Sequence, residues 1–149
     1  MRPISDLAHW KAAEYRLFAL YAGVCLLRHK DILCKEKYVN FIHLCVALRL
    51  LISPDTSDDD MKVCSLLLKT FVNQCSALYG EGFVSYNIHS MIHLPDDFKR
   101  FGSLDVVNCF PFESYLGLFK ECVHSGYKPL AQVSAYVHRQ NENLLTTVG

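Results

Sequence analysis

The sequence predicts an all-α fold, an irregular bundle of about five to six helices. Apolar residues recur three and four positions apart through most of the chain, which is the spacing of one helix face. Capping residues and prolines divide these runs into segments of helical length. Alternating apolar and polar runs, which are typical of half-buried strands, are too few to support a complete α/β domain.

The first two segments follow the helical period. Ser5 can cap a helix that begins at Asp6. A second helix covers Lys35–Ile52 and is stopped by Pro54, because proline lacks the amide hydrogen that a helix interior needs. The apolar positions of these two helices are Leu7, Trp10, Leu17, Tyr21, Val24, Tyr38, Phe41, Ile42, Cys45, Leu48 and Ile52.

A third helix starts at a cap formed by Thr56 or Ser57 and ends at Gly80. The aspartates at 58–60 lie in its first turn, where carboxylates oppose the positive end of the helix dipole. A cation site is the alternative interpretation of this acidic triplet. A stripe of apolar residues predicts the face that packs in the core, and it consists of Met61, Cys64, Leu68, Phe71, Cys75 and Leu78.

A shorter fourth helix is predicted over residues 84–94, and Pro95 closes it. Residues 95–110 form a connecting segment, with Gly102 in a turn and the valines at 106–107 briefly extended.

The last helices are set by proline and glycine positions. Pro111 suits the first position of a helix that runs to about His124. A final helix covers residues 130–142. We therefore predict one helical domain over residues 1–143 and a frayed tail over residues 144–149.

Composition excludes some functions and favours one compartment. The 149 residues have no net charge, whereas a free-standing nucleic-acid binder usually has a basic excess. Seven cysteines, an odd number found mostly in apolar helical patterns, predict buried free thiols in a reducing compartment. The apolar run over residues 17–27 is too short to cross a bilayer and has no signal-peptide cleavage site after it, so we predict an intracellular protein without membrane association.

His89 and His93 are candidate metal ligands. Their spacing of four places both imidazoles on one helix face, with about 5–6 Å between Cβ atoms. Such a pair can fill two positions of a zinc tetrahedron, but the chain has no Cys-x-x-Cys to fill the others. Cys109, Cys122 and His124 are nearby in sequence, but their spacing matches no familiar site. The alternative is two partly buried histidines that hydrogen-bond to backbone or carboxylate groups.

Glu113 is the candidate catalytic acid. It lies among aromatic residues in segment 110–115, where a carboxylate could be partly buried and could bind a metal ion. If Pro111 is the first helical residue, Glu113 is the third, and a glutamate there is also ordinary helix-start chemistry. The sequence contains no recognisable catalytic triad signature and no glycine-rich phosphate loop.

Several short blocks resemble a known family when they are taken in order. The blocks are residues 10–16 (WKAAEYR), 20–21 (LY), 78–80 (LYG), 87–94 (NIHSMIHL), 101–104 (FGSL) and 110–116 (FPFESYL). The ordered set resembles the C-terminal part of CACTA (EnSpm)-type DDE transposases over residues 2–140. It is especially similar to the transposon-derived proteins that are common in animal genomes.

The resemblance implies an RNase H-like catalytic core in the complete ancestral protein. There, two aspartates and a late glutamate hold two magnesium ions, which activate water or a DNA 3′-hydroxyl for attack on a phosphodiester. The helices of this chain would be a helical insertion and the closing helix of that core. His89 and His93 would be a zinc-binding pair, and Glu113 would be the third metal-holding acid. Zinc, magnesium and DNA are thus implied for the complete protein.

The chain departs from this pattern in two ways. The sequence has no Cys-x-x-Cys, so two of the four expected zinc ligands are missing. The first two catalytic aspartates would lie upstream of Met1. A single carboxylate cannot hold a pair of magnesium ions. We therefore predict a fragment of a transposon-encoded protein that is catalytically inert alone, requires no cofactor, and is nuclear by analogy only.

Two other functions remain as alternatives. The chain could be a helical module that binds another protein chain, such as the missing catalytic half, through an exposed apolar stripe. It could also be a small zinc-dependent hydrolase that uses His89, His93 and Glu113.

Overall fold

The computed structural model describes residues 2–29 and 31–147, and the side chains at 111, 113 and 140–147 lie outside that description. The described residues form helices and turns without a strand, so the all-α prediction is confirmed. The chain divides into two compact units, Met1–Val107 and Asn108–Gly149, whereas the prediction is one domain over residues 1–143. No proline–glycine or serine-rich run marks this division in the sequence. None of the described helices is both long and apolar enough to span a bilayer.

The N-terminal segment is a series of short turns, so the prediction of one continuous first helix is wrong. A 3-10 turn at Ile4–His9 is followed by α1 (Ala12–Leu17), a π-helical turn (Phe18–Ala22) and α2 (Gly23–Leu26). The helix is interrupted at Trp10, whose backbone is extended and whose side chain is buried. The centroid of the indole lies 5.4 Å from that of the Tyr15 ring and 5.6 Å from that of the Phe18 ring. Packing of the indole against these rings therefore holds the backbone of Trp10 in its extended, non-helical conformation.

The next two helices form a long hairpin, α3 (Lys35–Ile52) and α4 (Asp58–Tyr79), as predicted. Ser57 is the cap of α4: its hydroxyl accepts from the Asp60 amide, and the Asp60 carboxylate accepts from the Ser57 amide. Gly80 ends α4 with a φ of 99°, a value that glycine adopts without strain. The buried apolar residues of the hairpin are Cys45, Ala47, Leu51, Met61, Cys64, Leu68, Phe71, Val72 and Cys75.

A buried amide joins the two helices of the hairpin. Asn40 is fully buried, and its side-chain nitrogen donates to the Phe71 carbonyl at 3.0 Å and to Gln74 at 3.2 Å. Its oxygen accepts from the Tyr79 hydroxyl at 3.2 Å. Every polar atom of the Asn40 side chain has a hydrogen-bond partner, so these bonds offset the loss of hydration on burial. The network also fixes the antiparallel register of the two helices.

Short helices complete the first unit: a 3-10 turn at Glu81–Phe83, α5 (Tyr86–Ser90), a 3-10 turn at Met91–His93, α6 (Leu94–Phe101) and α7 (Leu104–Val107). Pro95 lies in the first turn of α6 and is buried, so the prediction that it closes a helix is wrong. Proline is tolerated in the first turn because the amide hydrogen there has no helical partner. Gly102 has a φ of 82° after α6, as its predicted turn requires, whereas Val106 and Val107 are helical rather than extended.

The second unit contains α8 (Phe110–Cys122) and α9 (Pro129–Thr147). Helix α8 ends two residues before the predicted end at His124, and α9 extends into the predicted tail; residues 148–149 lie outside the described part. Gln132 of α9 fixes the connecting loop. Its side-chain oxygen accepts from the His124 amide at 2.9 Å, and its nitrogen donates to the Tyr127 carbonyl at 2.7 Å.

The seven cysteines all lie in the described part and are free, but only some are buried. Burial in the hairpin raises the pKa of the Cys45 and Cys64 thiols to about 11. Cys75 is also buried, and desolvation raises the pKa of its thiol. The prediction of buried thiols is therefore confirmed in the hairpin and wrong for Cys25, Cys34 and Cys109, which are exposed.

Candidate functional site

The two candidate zinc ligands lie on consecutive short elements rather than on one regular helix. His89 belongs to α5, and His93 ends the 3-10 turn that joins α5 to α6. Ser85 caps the start of α5, and its hydroxyl accepts from the Ile88 amide at 3.5 Å. The two imidazole rings lie 6.1 Å apart between centroids and are close to perpendicular. The predicted pairing of the two imidazoles on one side of the segment is thus observed.

The apolar side of the same segment holds it against the hairpin. Ile88, Met91 and Ile92 pack on the cluster formed by Phe71, Val72 and Cys75. Because these side chains face the core, His89 and His93 are exposed to solvent. The alternative of two partly buried histidines, which the sequence also allowed, is therefore wrong.

In the part of the chain that the structure describes, no third donor side chain is grouped with His89 and His93. Within the described residues, no three His, Cys, Asp or Glu side chains are grouped so that they could hold a metal ion. Structural zinc sites use four protein ligands, and catalytic zinc sites use three. Two imidazoles alone supply fewer ligands than either kind of site uses. The metal content of the purified protein tests the prediction of the zinc pair directly.

The candidate catalytic acid, Glu113, belongs to the second unit. Glu113 is the fourth residue of α8, because the helix begins at Phe110 rather than at Pro111. Its side chain lies outside the described part, so its role as a metal-holding acid stays a prediction.

A cleft of about 400 Å³ lies between α8 and α9. Its lining includes Cys122, His124, Tyr136 and Arg139. The Cys122 thiol donates to the Leu118 carbonyl at 2.9 Å, and the Arg139 guanidinium donates through Nε to the Ala135 carbonyl at 3.2 Å. Both groups therefore form hydrogen bonds within their own helices.

Helix α8 carries an exposed apolar stripe. We call Phe112, Tyr115, Leu116 and Phe119 the α8 stripe. Phe112 is 71% exposed, Tyr115 63% and Leu116 65%, while Phe119 is half-buried. These residues are spaced three and four apart, so they form one continuous face over two turns of the helix. Exposed aromatic and aliphatic side chains in a contiguous patch mark interaction sites in soluble proteins.

The rest of α8 is mixed. Ser114 and Glu121 are exposed on the side opposite the stripe, and Lys120 is exposed on its flank. Leu118 lies outside the stripe and is 42% exposed. The stripe is therefore the main apolar face of α8, and that face is open. The 3.6-residue period of segment 112–119 could have shown this face in the sequence, but the period does not tell whether such a face is covered.

Comparison with protein-family models, with curated proteins and with solved structures finds no match to this chain.

Proposed function

We propose that this chain is a transposon-derived helical module that does not cleave or join DNA by itself and that acts by binding another protein chain. The observation on which the proposal depends is the exposed α8 stripe. A helix with one apolar face is stable when that face packs on another layer of structure. The open face of α8 therefore indicates a partner.

The resemblance to transposases suggests what the ancestral partner was. In that pattern, segment 110–116 opens the closing helix of an RNase H-like core, and this helix is α8. Strands supply the rest of such a core, whereas the described residues of this chain form none. We propose that the strands that once covered α8, and the first two catalytic aspartates with them, belonged to the catalytic half of the ancestral protein. Nuclear localisation would follow from that origin.

Absence of catalysis is proposed on chemical grounds. Phosphodiester attack by two metal ions needs carboxylates from several chain segments around both ions. The resemblance assigns only Glu113 to this role, and a single acid does not organise a pair of magnesium ions.

Sequencing of the transcripts that encode this chain tests its origin. The proposal predicts an upstream reading frame, in the genome or in related copies, with a Cys-x-x-Cys and two aspartates at strand ends. An upstream region in every copy that encodes no such frame would contradict a transposase origin.

A DNA nicking and joining assay with magnesium tests inertness. We expect the purified chain and its Glu113→Gln variant to give the same background. Magnesium-dependent cleavage that is lost in Glu113→Gln would show an active site in this chain and would overturn the proposal.

A further inference from the structure

Helix α8 has the register of a helix that pairs along a narrow seam. Phe112, Leu116 and Phe119 follow the alternating spacing of four and three residues that defines the core positions of a two-helix coiled coil. Leu116 is 65% exposed, and Phe112 is 71% exposed, so the seam is open on this chain. Tyr115 flanks the seam on one side.

The charges on the other flank of the seam are self-complementary. The sequence has an acidic residue at 113 and a basic residue at 120. They are seven positions apart, directly after Phe112 and Phe119, so they occupy equivalent positions beside the seam. Lys120 is exposed. When two copies of such a helix lie antiparallel, position 113 of each copy faces position 120 of the other, and both opposite-charge pairs form at once.

We infer that two copies of this chain pair through α8 in an antiparallel arrangement, with Leu116 of one copy against Phe119 of its partner. The inference rests on the proposed function and deepens it, since it names a second copy of this chain as the partner that covers the α8 stripe. A two-fold axis near the middle of the helix makes the contact close on itself, as isologous dimers do. Antiparallel helices also oppose their dipoles favourably.

The parallel alternative does not use these charges. In a parallel pair, the flank that contains positions 113 and 120 faces the opposite flank of the partner, where Tyr115 and Cys122 lie. The acidic and basic residues would then have no opposite charge across the seam. The charge pattern therefore favours antiparallel pairing.

The size of the helix predicts a weak, concentration-dependent dimer. Helix α8 has 13 residues and is about 20 Å long at 1.5 Å per residue. Two such helices bury less than the area of about 1,200 Å² at which stable interfaces begin. We expect monomers at high dilution and dimers as concentration rises.

Analytical ultracentrifugation of the full chain over a concentration series, with charge-reversal variants, tests this pairing. Glu113→Lys and Lys120→Glu each place like charges across both symmetric contacts, so each is expected to weaken the dimer about tenfold. The double variant restores opposite charges in the exchanged order and should recover dimerisation. The matched control is Glu121→Lys, which changes the net charge as Glu113→Lys does but lies on the side of α8 away from the seam.

The double variant separates pairing from helix stability. It puts a basic residue near the start of α8 and an acidic residue near its end, which is the least favourable arrangement for the helix dipole. Recovery of the dimer therefore cannot come from a more stable helix. A monomer at every concentration, equal dimerisation of all variants, or failure of the double variant to recover would each overturn the inference. The transcript and nicking tests do not depend on self-association. Their results therefore test the proposed function independently of the inferred dimer.

Discussion

The α3–α4 hairpin and helix α8 share one sequence pattern and have opposite surroundings. In α4, the apolar stripe is buried, and Leu68 at its centre is 0% exposed. In α8, a stripe with the same spacing is open, and Leu116 is 65% exposed. The helical period therefore determines which face of a helix is apolar, whereas the neighbours determine whether that face is covered. A covered face stabilises the fold, and an open face is available to a partner.

Replacing one leucine by alanine in each region should give the largest difference in the free energy of unfolding. Leu68→Ala removes a fully buried side chain and leaves a cavity, so the free energy of unfolding should fall by about 2–5 kcal/mol. Leu116→Ala removes a side chain that is mostly in water, so the change should stay within about 0.5 kcal/mol. Urea unfolding of both variants at low concentration, where self-association does not contribute, measures the two values. Equal losses would show that α8 is packed as tightly as α4.

A pair of glycines gives the next contrast. A Cβ at Gly23 would lie 2.7 Å from Phe41 Cζ and 2.9 Å from the Phe18 carbonyl oxygen, so Gly23→Ala should destabilise the chain by about 1–3 kcal/mol. Apart from its chain neighbours and the adjacent helix backbone, no described atom lies within 4 Å of a Cβ at Gly117 in α8, so Gly117→Ala should stabilise the helix by about 0.5–1 kcal/mol. Thermal unfolding gives both signs. A loss of stability in Gly117→Ala would mean that this part of α8 is crowded.

The cap of α4 should give a smaller and pH-dependent effect. Hydrogen bonds from the Ser57 hydroxyl and amide lower the pKa of the Asp60 carboxyl. The ionised carboxylate therefore stabilises the fold above the unfolded pKa, and this contribution disappears as the pH falls through the folded pKa. Ser57→Ala should lower stability near neutral pH by about 1 kcal/mol, and the gap to the wild type should narrow in acid. A gap that stays constant between neutral and acidic pH would show that the cap does not act through Asp60.

The hairpin could be predicted closely from sequence because local signals and packing agree there. Lys35–Ile52 is bounded as predicted, and Ser57, Gly80 and the α4 stripe take their expected roles. Only Leu78 of that stripe is half-buried rather than buried. Agreement between caps, period and core is what makes a segment predictable.

The remaining elements are determined by tertiary contacts, which the spacing of apolar residues does not reveal. The first helix is broken because Trp10 is buried, and its indole nitrogen donates to the Pro3 carbonyl at 3.2 Å. Pro95 can either end or begin a helix, and packing of the surrounding segment on the hairpin favours the second role.

The candidate site was only partly accessible from sequence. The spacing of His89 and His93 predicted that the imidazoles share one side, and the structure agrees. Their exposure follows from the apolar side of the segment, Ile88, Met91 and Ile92, which packs on the hairpin. The openness of the α8 stripe depends on tertiary neighbours, so no local pattern predicts it.

Hydrogen–deuterium exchange of α4 and α8 at several protein concentrations tests the central claim most directly. Slow exchange in α4 at every concentration is expected, because its hydrogen bonds open only when the core opens. In α8, exchange should be fast at high dilution and should slow as concentration rises and the α8 stripe is covered by a partner. Exchange in α8 that is as slow as in α4 at every dilution would show that the stripe is already covered within one chain, and it would contradict the account.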